Sequence, residues 1–147
     1  MASDPLVERA REAALKAYAP YSRFSVGCAV ESVDGEIVTG ANMENACYPL
    51  GVCAEISALT AALAAFGLDK VARIAVAGGH VENGVLAGDG IVTPCAGCRQ
   101  AIYEAACFSG ADVEVVSANG SGAQAERRRI SELLPDGFGP SNLFDAG

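Results

Sequence analysis

Tryptophan is absent from this chain of 147 residues, and its other aromatic residues are four tyrosines and five phenylalanines. Hydrophobic residues nevertheless make up 51% of the sequence, which is enough to bury the core of an ordinary domain. That core must therefore be filled mainly by alanine, valine, isoleucine and leucine. Because the sequence shows no internal repeat, low-complexity tract or long linker, we expect a single domain over residues 1–147.

Positive charge is also scarce, because 10 lysines and arginines face 18 aspartates and glutamates, for a formal net charge of −8. A surface that binds nucleic acid needs an excess of lysine and arginine, so we expect no nucleic-acid partner. The one basic cluster, three arginines at residues 127–129, is flanked by Glu126 and Glu132, and we interpret it as a solvated helix face. This acidic balance fits a small substrate without phosphate.

Long apolar runs are missing as well, since none approaches the ~18 residues that span a bilayer, and we expect no membrane association. The first residues, MASDPLVERAREA, lack the basic start and apolar stretch of a secretory signal. We therefore expect a cytoplasmic protein, in a compartment where disulfide bonds are rare. The six cysteines then indicate metal binding or catalysis before they indicate bridges.

Hydrophobic periodicity predicts helices that alternate with strands. Helices are predicted over residues 5–18, 53–66, 94–107 and 126–134, and strands over residues 25–31, 36–41, 73–79 and 112–117. Residues 33–35 are a predicted hairpin turn, and residues 42–52, 81–92 and 135–147 are predicted to be irregular. Because strand–helix–strand alternation favours parallel pairing, this order implies an α/β fold with a mixed sheet between layers of helices.

The helix predicted over residues 53–66 carries large apolar side chains at helical spacing. Ile56, Leu59, Leu63 and Phe66 share one face of it.

The strongest local signal is Cys95 and Cys98, spaced as Cys-x-x-Cys directly after Pro94 at a predicted helix start. Alone, this pair could be a redox pair, half of a structural zinc site or two ligands of a catalytic zinc. A redox pair usually lies at a thioredoxin-like junction, whereas this one lies far along the chain. Cys53, which has Glu55 two residues later, supplies a third thiolate. Three protein ligands and one open position are the arrangement of a catalytic zinc.

Both ligand groups lie at predicted helix starts, where the partial positive charge of the helix N-terminus favours thiolate over thiol. Glu55 follows Cys53 by two residues, so the helix directs it away from the ligand position of Cys53. It can instead reach the open fourth position and move a proton for a water held there. The remaining cysteines, Cys28, Cys47 and Cys107, are expected to pack as small hydrophobic residues, and His80 as an ordinary loop or core histidine.

The zinc pattern and further blocks along nearly the whole chain resemble the small, homotetrameric cytidine deaminases. The blocks are residues 19–24 (APYSRF), 26–27 (VG), 42–51 (NMENACYPLG), 53–55 (CAE), 94–100 (PCAGCRQ) and 133–135 (LLP), in the order of the family. The resemblance implies a three-layer α/β/α sandwich around a five-stranded mixed sheet and one Zn²⁺ per chain. It also implies hydrolytic deamination of cytidine and deoxycytidine to uridine and deoxyuridine, with release of ammonia, in pyrimidine salvage.

The resemblance further implies roles for individual residues. Cys53, Cys95 and Cys98 match the zinc ligands, and Glu55 matches the proton shuttle.

The substrate contacts that it implies come from five positions. Phe24 packs on the pyrimidine ring, and Asn42 with Glu44 binds the ribose 3′-hydroxyl. The Ala54 N–H and the Thr93 carbonyl contact the base edge.

Further matches concern the assembly, and two positions depart from the family pattern. Phe138, in the tail of residues 135–147, matches an aromatic that reaches a neighbouring subunit's pocket, and Tyr48 lies in a loop that meets a subunit interface. The family often has arginine directly after the glutamate, where it bonds to the ligand thiolates, but this chain has Ile56. Residues 80–92 are also longer and richer in glycine than the pattern.

Two other functions stay open on the sequence. A deaminase of a modified cytosine nucleoside, such as blasticidin S, shares the zinc pattern and is compatible with an aliphatic residue after the glutamate. Such enzymes lack the Asn-x-Glu-Asn-Ala pattern of residues 42–46. The other is a zinc-stabilised binding module without turnover.

Overall fold

The computed structural model describes residues 4–144, so residues 1–3 and the last residues of the predicted tail, 145–147, lie outside it. The helices are α1 (Pro5–Ala14), α2 (Ala54–Ala65), α3 (Ala96–Ser109), α4 (Ile130–Leu133) and α5 (Pro140–Phe144). The strands are β1 (Ser25–Ser32), β2 (Ile37–Ala41), β3 (Val71–Glu82), β4 (Val85–Ala87), β5 (Glu114–Asn119) and β6 (Ala125–Arg129). Two single 3₁₀ turns lie at Tyr48–Leu50 and Leu68–Lys70.

A mixed sheet forms the middle layer, in the strand order β2-β1-β3-β5-β6, with β4 paired to the far end of β3. Neighbouring strands are antiparallel except β3 and β5, which are parallel and joined by α3. Helix α1 packs in one hydrophobic cluster, and α2 and α3 pack in the other. The α/β sandwich with a mixed sheet, as the resemblance implied, is confirmed, and β4 adds a sixth strand to the five expected.

The central strand β3 shows how so few aromatic residues suffice. Its side chains alternate, with Ile74 and Val76 in the cluster of α2 and α3 and with Ala75 and Ala77 in the cluster of α1. Helix α1 comes so close that a Cβ atom at Gly27 would lie 1.9 Å from the Ala10 carbonyl oxygen. Small side chains therefore let the helix and the sheet approach closely, so the core needs few large side chains.

The helix predicted over residues 126–134 is wrong in its first part, because residues up to Arg129 form strand β6 and only Ile130–Leu133 are helical. The polar run of Glu126 and three arginines has no apolar period that distinguishes helix from strand. Strand β5 needs a partner for its free edge, and an outer strand rich in charge protects that edge from pairing with other chains. The arginines consequently lie on an edge strand and not on a helix face.

Residues 81–92 and the tail are also more ordered than predicted. Strand β3 continues to Glu82 and returns as β4 through Asn83 and Gly84, both of which have positive φ angles (51° and 77°). Asn-Gly is the sequence signal of such a tight hairpin turn, and the sequence analysis missed it. In the predicted irregular tail, Pro140–Phe144 form helix α5, whereas α1 ends at Ala14, before its predicted end.

The apolar face predicted on α2 is only partly buried. Leu59 is buried, but Ile56 is 36% exposed and Leu63 is 59% exposed, because small residues on another side of the helix face the sheet. Cys28 is buried as expected. Cys47 and Cys107, which we expected to pack, are exposed.

Within residues 4–144, no helix combines the length and the apolar composition needed to cross a bilayer. The longest helix, α3, has 14 residues.

A network of charges fastens α1 to the sheet. Asp4 caps α1 by accepting the Leu6 N–H at 2.9 Å, and its other oxygen accepts hydrogen bonds from Arg73 at 2.6 Å and Arg127 at 2.9 Å. Both guanidinium groups also reach the same oxygen of Glu114 at 3.1 Å. Burial by itself raises the pKa of the Asp4 carboxyl, but the Leu6 N–H and the two arginines outweigh it, so its pKa lies below the usual value.

We expect Asp4→Asn to lower the free energy of unfolding by about 1–2 kcal/mol, because asparagine still caps the helix but loses both ion pairs. The Asp4 side chain is only 10% exposed, which limits screening by solvent. Because the folded-state pKa is lowered, this stabilisation is present above the unfolded pKa of about 3.9 and disappears as pH falls through the folded value.

Urea unfolding at pH 7 and at low pH measures this difference, with Glu12→Gln on the exposed side of the same helix as the control. A loss of stability no larger than that of the control at pH 7 would contradict the role of Asp4.

Candidate active site

Three cysteine side chains converge where α2 and α3 begin. The Sγ atoms of Cys53, Cys95 and Cys98 all lie within 4.8 Å of one another. Cys53 is the N-cap of α2 and Cys95 the N-cap of α3, while Cys98 lies in the first turn of α3. Sulfur ligands at about 2.3 Å from a tetrahedral zinc lie roughly 3.8 Å apart, so the cluster fits this ion. The structure thus brings the predicted trio together.

Helix N-termini and burial act on these sulfur atoms in opposite directions. Cys53, the N-cap of α2, forms no side-chain capping hydrogen bond, so the first-turn N–H groups of that helix remain available to sulfur. The Cys98 N–H donates to Cys95 and is the main cause of the lowered pKa of that thiol. Burial instead raises the pKa of Cys53 and Cys98, and a bound metal ion would reverse this by keeping the thiolates deprotonated.

Glu55 is a buried carboxyl group beside the cysteines. It is the second residue of α2, and only 5% of it is exposed. Burial raises the pKa of its carboxyl group, while hydrogen bonds from its own N–H and from the Cys98 thiol act in the opposite direction. Among the described residues no cation forms a salt bridge with it. A buried carboxyl group without a cation destabilises the fold, so its position indicates a chemical role.

The loop before Cys95 is held by Arg99, a residue whose role the sequence analysis missed. Its guanidinium donates to the Pro94 carbonyl at 2.8 Å and to the Leu133 carbonyl at 3.1 Å, and it approaches the Thr93 hydroxyl at 3.4 Å. Arg99 therefore ties the Thr93–Pro94 segment to the end of α4. Ala54, the other residue predicted to contact the base edge, is fully buried as the first residue of α2.

Asn42 and Glu44, predicted to contact ribose, lie beside the turn that carries Phe24. The Asn42 side chain accepts the Val26 N–H at 2.8 Å and donates to the Phe24 carbonyl at 2.9 Å. Glu44 accepts the N–H groups of Tyr21 and Ser22 at 2.9 and 3.1 Å, and the Ser22 hydroxyl as well. The Ser22 hydroxyl is the main cause of the lowered pKa of Glu44.

An open cavity adjoins this turn. Its lining consists of Tyr21, Ser22, Glu44, Asn45, Tyr48 and Gly51. The rings of Tyr21 and Tyr48 meet edge to face, with their centroids 6.1 Å apart.

The Phe138 side chain is 59% exposed, so its own contacts do not hold it beside the cysteine cluster. Its carbonyl accepts a hydrogen bond from the Gln100 side chain at 2.7 Å, which ties the tail to α3. The flanking glycines, Gly137 and Gly139, lie against the ring of Tyr103 on the same helix. The tail therefore follows the helix that carries two of the cysteines and leaves the Phe138 ring outside.

Comparisons with known proteins agree on one family. The sequence model described as the cytidine and deoxycytidylate deaminase zinc-binding region matches residues 2–109. A cytidine deaminase of Mycobacterium tuberculosis is 37% identical over 134 residues, which are 91% of this chain and 87% of that protein. One of Halalkalibacterium halodurans is 38% identical over 140 residues, 95% of this chain and 96% of that protein. The crystal structure of cytidine deaminase from Burkholderia pseudomallei has a TM-score of 0.79 at 40% identity, covering 94% of this chain and 100% of that chain.

We expect one zinc ion per chain, and we expect Cys53→Ala, Cys95→Ala and Cys98→Ala each to lose it, because two sulfur ligands hold the ion far more weakly than three. Mass spectrometry of metals in the purified proteins measures the zinc content. Cys107→Ala, which removes an exposed cysteine from the same helix α3, is the control and should keep its zinc. Full zinc occupancy in any of the three cluster variants would contradict the assignment of that ligand.

Proposed function

This chain belongs to the cytidine and deoxycytidylate deaminase family, and from that premise we propose that it removes the amino group of cytidine and deoxycytidine by hydrolysis. The products are uridine or deoxyuridine and ammonia. The observation that carries the proposal is the buried Glu55 carboxyl group beside three converging cysteine sulfurs. A structural zinc site would need a fourth protein ligand and would not require a buried carboxyl group beside the ligands.

The chemistry divides between the ion and the chain. Zinc, when bound by the three cysteines, would lower the pKa of a water molecule and so supply a hydroxide nucleophile for the ring carbon that bears the amino group. Glu55 would accept the proton that the water gives up and donate it to the ring nitrogen. It would then accept the proton of the hydroxyl group added to the ring carbon and donate it to the amino group, which leaves as ammonia. Burial raises the pKa of the Glu55 carboxyl group, which makes it a stronger base than an exposed glutamate.

We place the pyrimidine ring against Phe24, with the Ala54 N–H and the Thr93 carbonyl at the base edge. Val92 supports this, because it directly precedes Thr93 and lies with Phe24 against Gly78, where a Cβ atom would lie 3.2 Å from both side chains. Arg99 keeps the Thr93 segment in place. A neutral base edge read by backbone groups fits a nucleoside substrate.

Asn42 and Glu44 would bind the ribose with the hydrogen-bond donors and acceptors that the Phe24 turn leaves unused. The Asn42 side-chain oxygen accepts from the Val26 N–H, and one of its two N–H donors donates to the Phe24 carbonyl, so a second donor remains. The ionised Glu44 carboxylate has about four acceptor sites, of which the turn takes three, and it lies beside an open cavity. Both residues would thus hold the turn and bind the 3′-hydroxyl.

We also propose that the chain acts as a homotetramer of single-domain subunits in the cytoplasm, in pyrimidine salvage and without a nucleic-acid partner. A mainly apolar groove between α2 and α3 favours association with another chain. Its lining consists of Ile56, Leu59, Leu63, Leu68 and Ala101, with Thr60 and Glu104. The exposed Phe138 and Tyr48 rings are suited to contact neighbouring subunits, with the tail from residue 135 reaching the adjacent site.

The function is tested by incubating the zinc-loaded protein with cytidine, deoxycytidine and blasticidin S and measuring ammonia release. We expect turnover of the first two nucleosides. Turnover of blasticidin S alone would identify a deaminase of a modified nucleoside, and no turnover of any would leave a binding module.

Glu55→Gln should keep its zinc but lose at least ~10²–10⁴-fold in kcat, because the amide cannot accept and return protons. Zinc content and the rate of ammonia release from cytidine are measured on the same preparation. Glu36→Gln, at an exposed carboxyl group, is the control and should match the wild type. A Glu55→Gln protein that retains a tenth of the rate would show that Glu55 is not the proton shuttle.

Leu63→Glu should dissociate the tetramer, because it places a charge in the apolar groove. Analytical ultracentrifugation should give an assembly of about four times the 14.9 kDa chain for the wild type and smaller species for the variant. Val33→Glu, at an apolar residue exposed in the β1–β2 turn, is the control and should remain tetrameric. A wild type that sediments as a fully active monomer would refute the assembly.

A further inference from the structure

His80 lies outside the family blocks of the sequence, yet it contacts the residue proposed to hold the pyrimidine. It is an exposed residue of β3, placed where that strand extends to pair with β4. Its ring meets the ring of Phe24 edge to face at 90°, with the centroids 5.6 Å apart. Its Nδ1 atom lies 3.0 Å from the carbonyl oxygen of Arg23. Since a carbonyl oxygen only accepts, Nδ1 carries the proton in this contact.

This contact fixes one particular peptide group. The peptide between Arg23 and Phe24 is held at its carbonyl by His80 and at its N–H by the Ser22 hydroxyl at 3.0 Å. Arg23 has a φ of +57°, a left-handed conformation that a residue with a side chain adopts only when its surroundings impose it. Rotation of this peptide would relieve the strain and swing the Phe24 ring, so both partners of the peptide oppose that movement.

The other contacts of Phe24 do not hold its ring and the Arg23 carbonyl together, as His80 does. The ring packs against Gly78, where a Cβ atom would lie 3.2 Å from the side chains of Phe24 and Val92. Asn42 holds the Phe24 carbonyl at 2.9 Å. Among these contacts, His80 is the one that joins the ring of Phe24 and the carbonyl before it to the sheet.

His80 can act as a fixed support because its backbone is clamped. It pairs with Ala87 of β4, whose carbonyl oxygen lies directly over two glycines of the sheet. A Cβ atom would lie 2.0 Å from that oxygen at Gly79 and 2.5 Å from it at Gly120. The base of the hairpin, and with it the position of His80, is therefore set by close backbone contact.

We propose that His80 is a positioning residue for the substrate ring: it holds Phe24 in the orientation that stacks on the pyrimidine. The inference rests on the proposed function and extends it to a residue that makes no contact with the reacting atoms. A restraint on stacking acts equally on substrate and transition state, so His80 should govern KM and leave kcat nearly unchanged.

His80→Ala in the zinc-loaded protein should raise KM for cytidine and the inhibition constant of uridine by the same factor, roughly three- to tenfold, as expected for one hydrogen bond and one aromatic contact. His80→Asn keeps a donor at the δ position, and His80→Phe keeps a ring, so each should recover part of the loss. Glu82→Ala, on the same hairpin, is the control and should match the wild type. Circular dichroism and zinc content verify that each variant is folded and loaded.

A double-mutant cycle separates positioning from a general structural effect. In a Phe24→Ala background, His80→Ala should change KM by less than twofold, because the ring that it orients is gone. An unchanged KM in His80→Ala, or equal effects with and without Phe24, would overturn the inference while leaving the proposed function intact. If His80→Ala misfolds, the same cycle with His80→Phe decides, since loss of the Arg23 contact alone must still raise KM. A wild type without cytidine turnover would overturn the proposed function, and this inference with it.

Discussion

The meeting of two helix N-termini at three sulfur atoms is the constraint on which the rest of this structure depends. Cys53 and Cys95 can approach only if α2 and α3 lie on the same face of the sheet and begin at the same edge. The parallel pairing of β3 and β5 provides this, because the crossover through α3 returns the chain on that face. The antiparallel β1 and β2 then complete a surface on which α2 packs beside α3.

Close approach of backbones, more than bulk of side chains, sets these positions. Helix α1 lies against Gly27, and α2 lies so close to β2 that a Cβ atom at Gly40 would be 2.4 Å from the Ala58 nitrogen. Alanines fill much of the remaining contact, as Ala75 and Ala77 do under α1. A core of this kind leaves little freedom to shift a helix, which suits a site whose sulfur atoms must keep their spacing to a fraction of an ångström.

The sequence predicted the elements whose signals are local, and the failures have identifiable physical causes. The convergence of Cys53, Cys95 and Cys98 was predictable because metal ligands and helix starts are both recognisable from short spacing. Strand β6 was missed because pairing with the edge of β5, and not an apolar period, decides its conformation.

The contacts of longer range could not be predicted at all. His80 lies 57 residues from Arg23 in sequence, and only the extension of β3 brings the two together. The support that Asn42 and Glu44 give to the Phe24 turn likewise depends on the pairing of β1 with β2.

The β3–β4 hairpin has a consequence of its own for how such a chain diversifies. Its base is locked by Gly79 and Gly120, whereas nothing among the described residues would meet a Cβ atom at Gly84 in its tip. Insertions and deletions can therefore accumulate at the tip over evolution, or be engineered there as a loop graft, while the register at the base stays fixed.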